Sequence, residues 1–196
     1  MNIEGYHGTL ASSTKAILDS KHFNKSCGPK EWLGFGIYFF KDSSLAKIYA
    51  QKKCEKEYKK VGKCQCETSP CSSADSPGII AAQIECEDKD CYNLDDDDDL
   101  KRIEGPCSDF IFQYHEAQRK TINGSMTEMR CALLEVIGAK LGAKVFIKNF
   151  PLHKGWTPLF FEIRVYETYI CVRDESILKE LKREEVVCER RALYAI

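Results

Sequence analysis

Two short segments of the chain combine glycines with side chains that can hydrogen-bond to a ligand or stack on it. The first, residues 6–9, is Tyr-His-Gly-Thr. The second, residues 31–40, is Glu-Trp-Leu-Gly-Phe-Gly-Ile-Tyr-Phe-Phe. Its glycines relieve steric limits on the backbone, and the β-branched and aromatic residues after them are typical of a buried strand. From these residues alone, the packing of a strand after a turn is the simpler interpretation.

Taken together, the two segments resemble the NAD-binding half of the ADP-ribosyltransferases. The His-Gly-Thr segment is followed by Leu-Gly-x-Gly-Ile-Tyr-Phe, and Tyr49 then comes eleven positions after Tyr38. The likeness is to the His-Tyr-Glu class, which includes diphtheria toxin and the poly(ADP-ribose) polymerases. The Trp-Leu-Gly lead-in looks closest to small, uncharacterised bacterial members. The resemblance implies an α+β fold with split, mostly antiparallel β-sheets flanked by helices, and NAD as the substrate.

The resemblance also implies roles for individual residues. His7 would hydrogen-bond the adenosine ribose, while the backbone of Gly8 would bind the nicotinamide amide. Thr9 would complete this NAD-binding segment. Tyr38 and Tyr49 would sandwich the nicotinamide ring. We therefore expect these five residues to surround one cavity.

Two positions depart from the family's pattern. Ala46 stands where the family often has a hydroxyl residue that contacts the nicotinamide amide. The family's catalytic glutamate opens a late strand, and counting back from Asp174 places Tyr169 in its position. A register shift of two residues, which a β-bulge would help to provide, places Glu167 there instead. Because side chains alternate along a strand, Glu167 and Tyr169 are expected on one face, at the NAD site.

The reaction that the resemblance implies breaks the bond between nicotinamide and ribose. Positive charge builds on the ribose as nicotinamide leaves, as it does in glycoside hydrolysis. The site therefore needs a grip on nicotinamide, a grip on the ribose hydroxyls and a carboxylate near the developing charge. We predict that Glu167 supplies this carboxylate. If Tyr169 holds the position, the chain would transfer a single ADP-ribose or be inactive.

Two functions from different classes remain open. The first is an NAD-dependent mono-ADP-ribosyltransferase, such as a bacterial toxin or a phage-defence effector, that modifies a macromolecule. Protein is the favoured acceptor, with DNA or RNA as the alternative. Such a freestanding enzyme would need an antitoxin or inhibitor protein as a partner. The second is a catalytically inactive relative that binds NAD or ADP-ribose.

Length and composition set the wider limits. The chain has 196 residues, of which 43% are hydrophobic and 30% charged, and its net charge is -1. We expect one domain spanning residues 1–196, with no broad attraction to nucleic acid or anionic membranes. No apolar run is long enough to span a bilayer, and the N-terminus does not read as a signal peptide. Eleven cysteines without an export signal favour free thiols in the cytoplasm.

A polar insertion around residues 62–100 offers competing sites. Zinc could be held by cysteines in or near it, but Cys64 and Cys66 are closer in sequence than a usual zinc pair, so no metal is predicted. The acidic run 95–99 is expected to be a solvated loop or a helix start. The lysines of residues 52–63 could contact nucleic acid, although such a face is usually only solvated. The candidate zinc ligands are Cys54, Cys64, Cys66, Cys71, Cys86 and Cys91.

The remaining pattern predicts strands mixed with helices without regular alternation, which favours the α+β class. Strands are expected over residues 2–9, ending in a turn, and over 37–40, 78–85, 144–148, 160–165 and 169–172. Helices are expected around 16–18, after Asp42, over 108–120, from Ser125 to Gly142, and from Asp174 or Ser176 through Ile177, Leu178 and Leu181.

Overall fold

Helices pack on a seven-stranded β-sheet in this protein. The computed structural model describes residues 1–61, 76–120, 126–151 and 166–185. The strands are β1 (Asn2–Leu10), β2 (Ile37–Phe40), β3 (Pro77–Glu85), β4 (Cys91–Asn93), β5 (Val145–Pro151), β6 (Tyr166–Val172) and β7 (Leu178–Glu184). The helices are α1 (Ala11–Ser20), α2 (Ser43–Val61), α3 (Asp97–Lys120) and α4 (Met126–Leu141), with short 3-10 turns at Asp88–Asp90 and Glu175–Ile177.

The sheet has the order β4-β5-β6-β2-β1-β3-β7. Only β4 and β5 pair in parallel, and the other neighbours are antiparallel. The α+β class and the mostly antiparallel sheet are therefore confirmed. The expected split into separate sheets is not observed, but β1 and β2 are joined only through the pair Tyr6 and Phe40. The two halves of the sheet thus diverge at this joint.

The core lies on both faces of the sheet, because neighbouring residues of each buried strand point in opposite directions. On one face, Ile37 and Phe39 belong to a cluster that includes Phe23 and against which α1 packs. On the other face, Phe146 and Leu134 belong to a cluster shared by β5 and α4. Burial on both faces explains why the central strands are almost continuously apolar.

Helix α2 lies unusually close to β1. The Ser44 N–H donates to the Asp42 carboxylate at 2.8 Å, which confirms Asp42 as the cap of this helix. A Cβ on Gly8 would lie 2.1 Å from the carbonyl oxygen of Ala46. Only glycine fits against the helix backbone at this distance, and Ala46 itself is fully buried in the contact. Strand β1 extends to Leu10, so residues 7–9 lie within the strand and not in the turn that we expected.

The expected last helix is wrong. Residues 178–184 form β7, which pairs with β3 at the edge of the sheet. A bulge explains the error: Lys179 and Lys182 face Gln83 and Ala81, so β7 carries one extra residue, and Glu180 has φ 47°. The bulge gives the apolar residues of this strand a spacing of three, which imitates the spacing of a helix.

Other elements agree with the sequence or extend it. The acidic run begins α3, where the N–H groups of Asp98 and Asp99 donate to the Asp96 carboxylate, so the helix-start interpretation is confirmed. Gly142 has φ 64° and follows the end of α4 as expected. The proposed insertion contains β3 and β4 of the sheet. Ser125, its capping role and the strand expected over 160–165 lie outside the described residues.

Candidate functional site

A cavity of about 610 Å³ opens where β1 and β2 diverge. Its volume lies in the range of pockets that hold small molecules. The walls come from β1, α1, the segment before β2, β2 itself, α2 and one residue of β6. The residues that line the cavity include His7, Gly8, Thr9, Glu31, Trp32, Tyr38, Tyr49, Lys53 and Tyr169.

His7 joins the two diverging strands. Its Nδ1 lies 2.8 Å from the carbonyl oxygen of Tyr38. The Lys41 N–H donates to Thr168 on the β6 side, so by alternation the carbonyl of Tyr38 faces β1, which is too distant there to pair with it. Because a carbonyl can only accept, Nδ1 carries the proton and Nε2 is left as an acceptor. No other described residue is bonded to this ring.

The environment of His7 keeps the ring neutral. Burial lowers the pKa of His7 to about 4. The hydrogen bond to Tyr38 opposes this shift, while the positive charge of Lys53 adds to it. The rings of Phe23 and Phe39 lie edge-on to the imidazole at centroid distances of 5.3 and 5.7 Å. At neutral pH the ring can therefore accept a hydrogen bond from a ligand hydroxyl without carrying charge.

The Tyr38 hydroxyl both accepts and donates a hydrogen bond in the turn that precedes β2. It accepts from the Leu33 N–H at 2.8 Å and donates to the Gly34 carbonyl at 2.7 Å. Burial raises the pKa of Tyr38 above its usual range. Gly34 has φ 81°, a conformation that favours glycine. The tyrosine thus shapes the turn and lines the cavity at once.

The same turn is fastened from outside the cavity. The Phe35 N–H donates to the carboxylate of Glu135 on α4 at 2.6 Å. That carboxylate also forms a two-pronged ion pair with Arg173, at 2.5 and 3.0 Å. Glu135 therefore fixes the segment that carries Tyr38, although it does not reach the cavity itself.

Tyr49 offers an aromatic surface to the cavity. Half of its surface is exposed, although it projects from α2 into the site. Its ring lies 5.7 Å from Phe40, which in turn lies 4.9 Å from Tyr169. Trp32 continues this wall at 5.6 Å from Tyr169. A flat ligand ring has several aromatic partners here.

Tyr169, and not Glu167, lines the cavity. The pairing of β6 with β5 runs without interruption from Tyr166 to Val172, so the bulge that would have moved Glu167 into the site is not there. The two side chains do share a face as expected, because the Tyr169 hydroxyl donates to the Glu167 carboxylate at 2.8 Å. Burial, followed by this bond, raises the pKa of Tyr169 above its usual range. Glu167 therefore does not line the cavity itself, but it is hydrogen-bonded to Tyr169, which does.

Glu31, Trp32 and Lys53 also line the cavity, although the sequence predicted no part in NAD binding for them. Glu31 is a half-buried carboxylate whose negative charge contributes to the raised pKa values of Tyr38 and Tyr49. It has no ion pair or side-chain hydrogen bond with the described residues. Lys53 brings an ammonium, and Trp32 a large ring. The position of Glu31 directly before the Trp-Leu-Gly turn was the available signal for the first of these.

The competing sites receive no support from the described residues. Within these residues, no cluster of His, Cys, Asp or Glu could hold a metal ion. Cys54 and Cys91 are buried and Cys86 is half-buried, and none of the three is in a disulfide bond. Cys64, Cys66 and Cys71 lie outside the described ranges. No described helix is both long and apolar enough to cross a membrane.

The cavity thus combines a neutral imidazole acceptor, stacking rings, the ammonium groups of Lys30 and Lys53, and the carboxylate of Glu31, which has no ion-pair partner among the described residues. The sequence predicted an NAD site made of six residues, and the structure places all six in the lining of this cavity: His7, Gly8, Thr9, Tyr38, Tyr49 and Tyr169. Comparison of the chain with protein-family models, with curated proteins and with solved structures finds no match.

Proposed function

We propose that this cavity binds NAD and that the protein is an NAD-dependent mono-ADP-ribosyltransferase with the fold of that superfamily. One observation carries the proposal. His7 and Tyr38, on separate segments, meet in a single cavity whose lining includes the half-exposed ring of Tyr49. This is the arrangement that the resemblance to the His-Tyr-Glu class implies, and nothing in their separation along the chain requires it.

In the proposed complex each wall recognises a different part of NAD. The Nε2 atom of His7 accepts a hydrogen bond from a ribose hydroxyl, while the nicotinamide ring stacks against Tyr49 beside Tyr38. The bond between the ribose C1′ and the nicotinamide nitrogen then breaks, and its electron pair stays with the departing nicotinamide. The acceptor's nucleophile forms the new bond to C1′ and loses its proton. A carboxylate stabilises the cationic ribose between these events.

Two carboxylates can take this last role. Glu167 would act through Tyr169. Because the tyrosine O–H donates a hydrogen bond to Glu167, the lone pairs of the tyrosine oxygen are left to face the cavity. Glu31 lines the cavity directly, and its negative charge is close enough to contribute, after burial, to the raised pKa values of Tyr38 and Tyr49. The sequence favours the first arrangement and the cavity lining favours the second. A comparison of two neutral substitutions decides between them.

The experiment uses NAD labelled in the nicotinamide and, separately, in the adenine. We expect the protein to release nicotinamide and to transfer the adenine label to a macromolecule in a cell lysate. Protease and nuclease digestion of the product identifies the acceptor class, with protein favoured over DNA or RNA. Glu167→Gln and Glu31→Gln are compared at matched concentration, and the carboxylate that acts on the ribose is the one whose loss lowers the rate about 100-fold or more.

A second function is favoured by one specific observation, the presence of Tyr169 where the family has its glutamate. A relative without a working carboxylate would bind NAD or ADP-ribose and turn nothing over. Saturable binding of both nucleotides, with no nicotinamide release by the wild-type protein, would establish this binding function. Release of nicotinamide without any labelled macromolecule would instead indicate an NAD hydrolase.

A further inference from the structure

Lys53 places a positive charge in the wall of the cavity. It lies on α2, four residues after Tyr49, so the two side chains share a face of the helix about 6 Å apart along its axis. Its Nζ donates to the Thr9 hydroxyl at 3.2 Å, and Thr9 is only 2% exposed. A buried residue on β1 thus fixes the direction of an otherwise flexible side chain.

The charge of Lys53 has no counter-ion in the part of the chain that the structure describes. No described carboxylate forms an ion pair with it. The other cavity lysine, Lys30, differs because its ammonium lies 3.5 Å from the Glu128 carboxylate. An ammonium has three donor hydrogens, and Thr9 takes one, so two remain for a ligand. A half-buried cation with spare donors is suited to an anion.

We propose that Lys53, oriented by Thr9, forms a phosphate-binding subsite of this cavity. This inference rests on the proposed function, since it assigns the pyrophosphate of a dinucleotide to this wall. The subsite lies beside His7, whose pKa is depressed in part by the same ammonium, and one helical turn from Tyr49. Its neighbours therefore place a phosphate between the hydroxyl acceptor and the stacking ring. The cavity selects phosphorylated ligands over the corresponding nucleosides.

The test compares charged and neutral ligands on three variants. Lys53→Met removes the ammonium, Lys53→Arg keeps a cation there, and Lys56→Met removes one charge from an exposed position of the same helix that does not line the cavity. Calorimetry measures the affinity of each protein for ADP-ribose, which carries the pyrophosphate, and for adenosine, which does not. Thermal unfolding confirms that each variant is folded.

We expect Lys53→Met to weaken ADP-ribose binding about 10- to 100-fold, the usual worth of a hydrogen bond to a charged group, and to leave adenosine binding within about twofold. Lys53→Arg and Lys56→Met should bind ADP-ribose nearly as the wild type does. Equal weakening of both ligands by Lys53→Met, or an equal effect of Lys56→Met, would overturn the subsite.

The failure of the subsite and that of the proposed function can be told apart. If the wild type binds NAD, and Lys53→Met keeps the wild-type preference for ADP-ribose over adenosine, the proposed function stands and the subsite is overturned. If the wild type binds no NAD or ADP-ribose, inorganic pyrophosphate becomes the probe. Pyrophosphate binding that disappears in Lys53→Met supports the subsite without the nucleotide function, and its absence in the wild type overturns the subsite as well.

Discussion

At the scale of the residue, the side chains that the sequence marked for NAD also hold the site together. His7 pairs with a backbone carbonyl that the sheet leaves without a strand partner, and Tyr38 bridges the turn before its own strand. The types of these residues could be recognised from the chain because histidine, glycine and tyrosine recur at a characteristic spacing. The contribution of Glu31 and Lys53 to the cavity could not be recognised in this way, because charged residues are common in any sequence and only the fold shows which of them face inward.

The neutral His7 makes stability depend on pH. Its pKa is about 4 in the folded protein and about 6.5 in an unfolded chain, so between these values the unfolded state binds more protons. The free energy of unfolding should therefore fall as pH is lowered from 6.5 to 4, by at most about 3 kcal/mol from this residue. Urea unfolding of the wild type and of His7→Gln measures the difference, and parallel pH profiles would contradict the prediction.

Replacing Tyr38 with phenylalanine should destabilise the protein by about 1–3 kcal/mol. The change removes one hydroxyl that satisfies the Leu33 N–H and the Gly34 carbonyl, and it leaves both without that partner. Tyr49→Phe is the matched control, since half of Tyr49 is exposed and its hydroxyl is bonded to no described residue. Chemical denaturation should show a loss in the first variant alone. An equal loss in both would mean that the hydroxyl of Tyr38 does not fasten the turn.

At the scale of the element, the sequence predicted strands better where both faces are buried than where a strand lies at an edge. The core strands β2 and β3 were recognisable as short apolar runs, and α4 ends at a glycine with the expected conformation. Strand β7 was mistaken for a helix because its bulge spaces Leu178 and Leu181 as a helix would. The close approach of α2 to β1 left only one trace in the sequence, the glycine at position 8.

That close approach predicts a large effect of a single methyl group. In Gly8→Ala the new Cβ would meet the carbonyl oxygen of Ala46, a backbone atom that cannot turn aside. The helix must move away from the strand, which should cost about 2 kcal/mol of unfolding free energy and weaken NAD binding by displacing Tyr49. Gly105→Ala is the control, because no described atom beyond its chain neighbours and its own helix backbone lies within 4 Å of its Cβ position, and it should change stability by less than about 1 kcal/mol.

The ion pair of Glu135 with Arg173, which lies outside the cavity, should contribute to the stability of the turn before β2. Glu135→Gln should weaken the contact with Arg173 while it keeps an acceptor for the Phe35 N–H. We expect a loss of about 1–3 kcal/mol in stability, because Arg173 is only 16% exposed. Lys101→Gln, which breaks an exposed pair with Asp98, should cost less than about 1 kcal/mol. Denaturation curves of the two variants that coincide would contradict this ranking.

At the scale of the whole molecule, the cavity exists because two halves of one sheet are joined by a single residue pair. The strands β2 and β6 hold Tyr38 and Tyr169, whereas β1 and α2 hold His7, Thr9, Tyr49 and Lys53. The class of the fold followed from its mixture of helices and strands. The continuity of the sheet did not, since strand order depends on contacts between segments distant in the chain. A ligand bound in the cavity would bridge the two halves and should stabilise them against unfolding.

The central claim is that NAD binds in this cavity, and Trp32 reports on it directly. The chain has two tryptophans, so Trp156→Phe leaves Trp32, a lining residue, as the source of tryptophan fluorescence. Titration of NAD into this variant should give a saturable fluorescence change, with matching heat in calorimetry and a dissociation constant no weaker than about 1 mM. ADP-ribose should compete, and Tyr49→Ala should weaken the binding. Absence of both the fluorescence change and the heat up to that concentration would contradict the account.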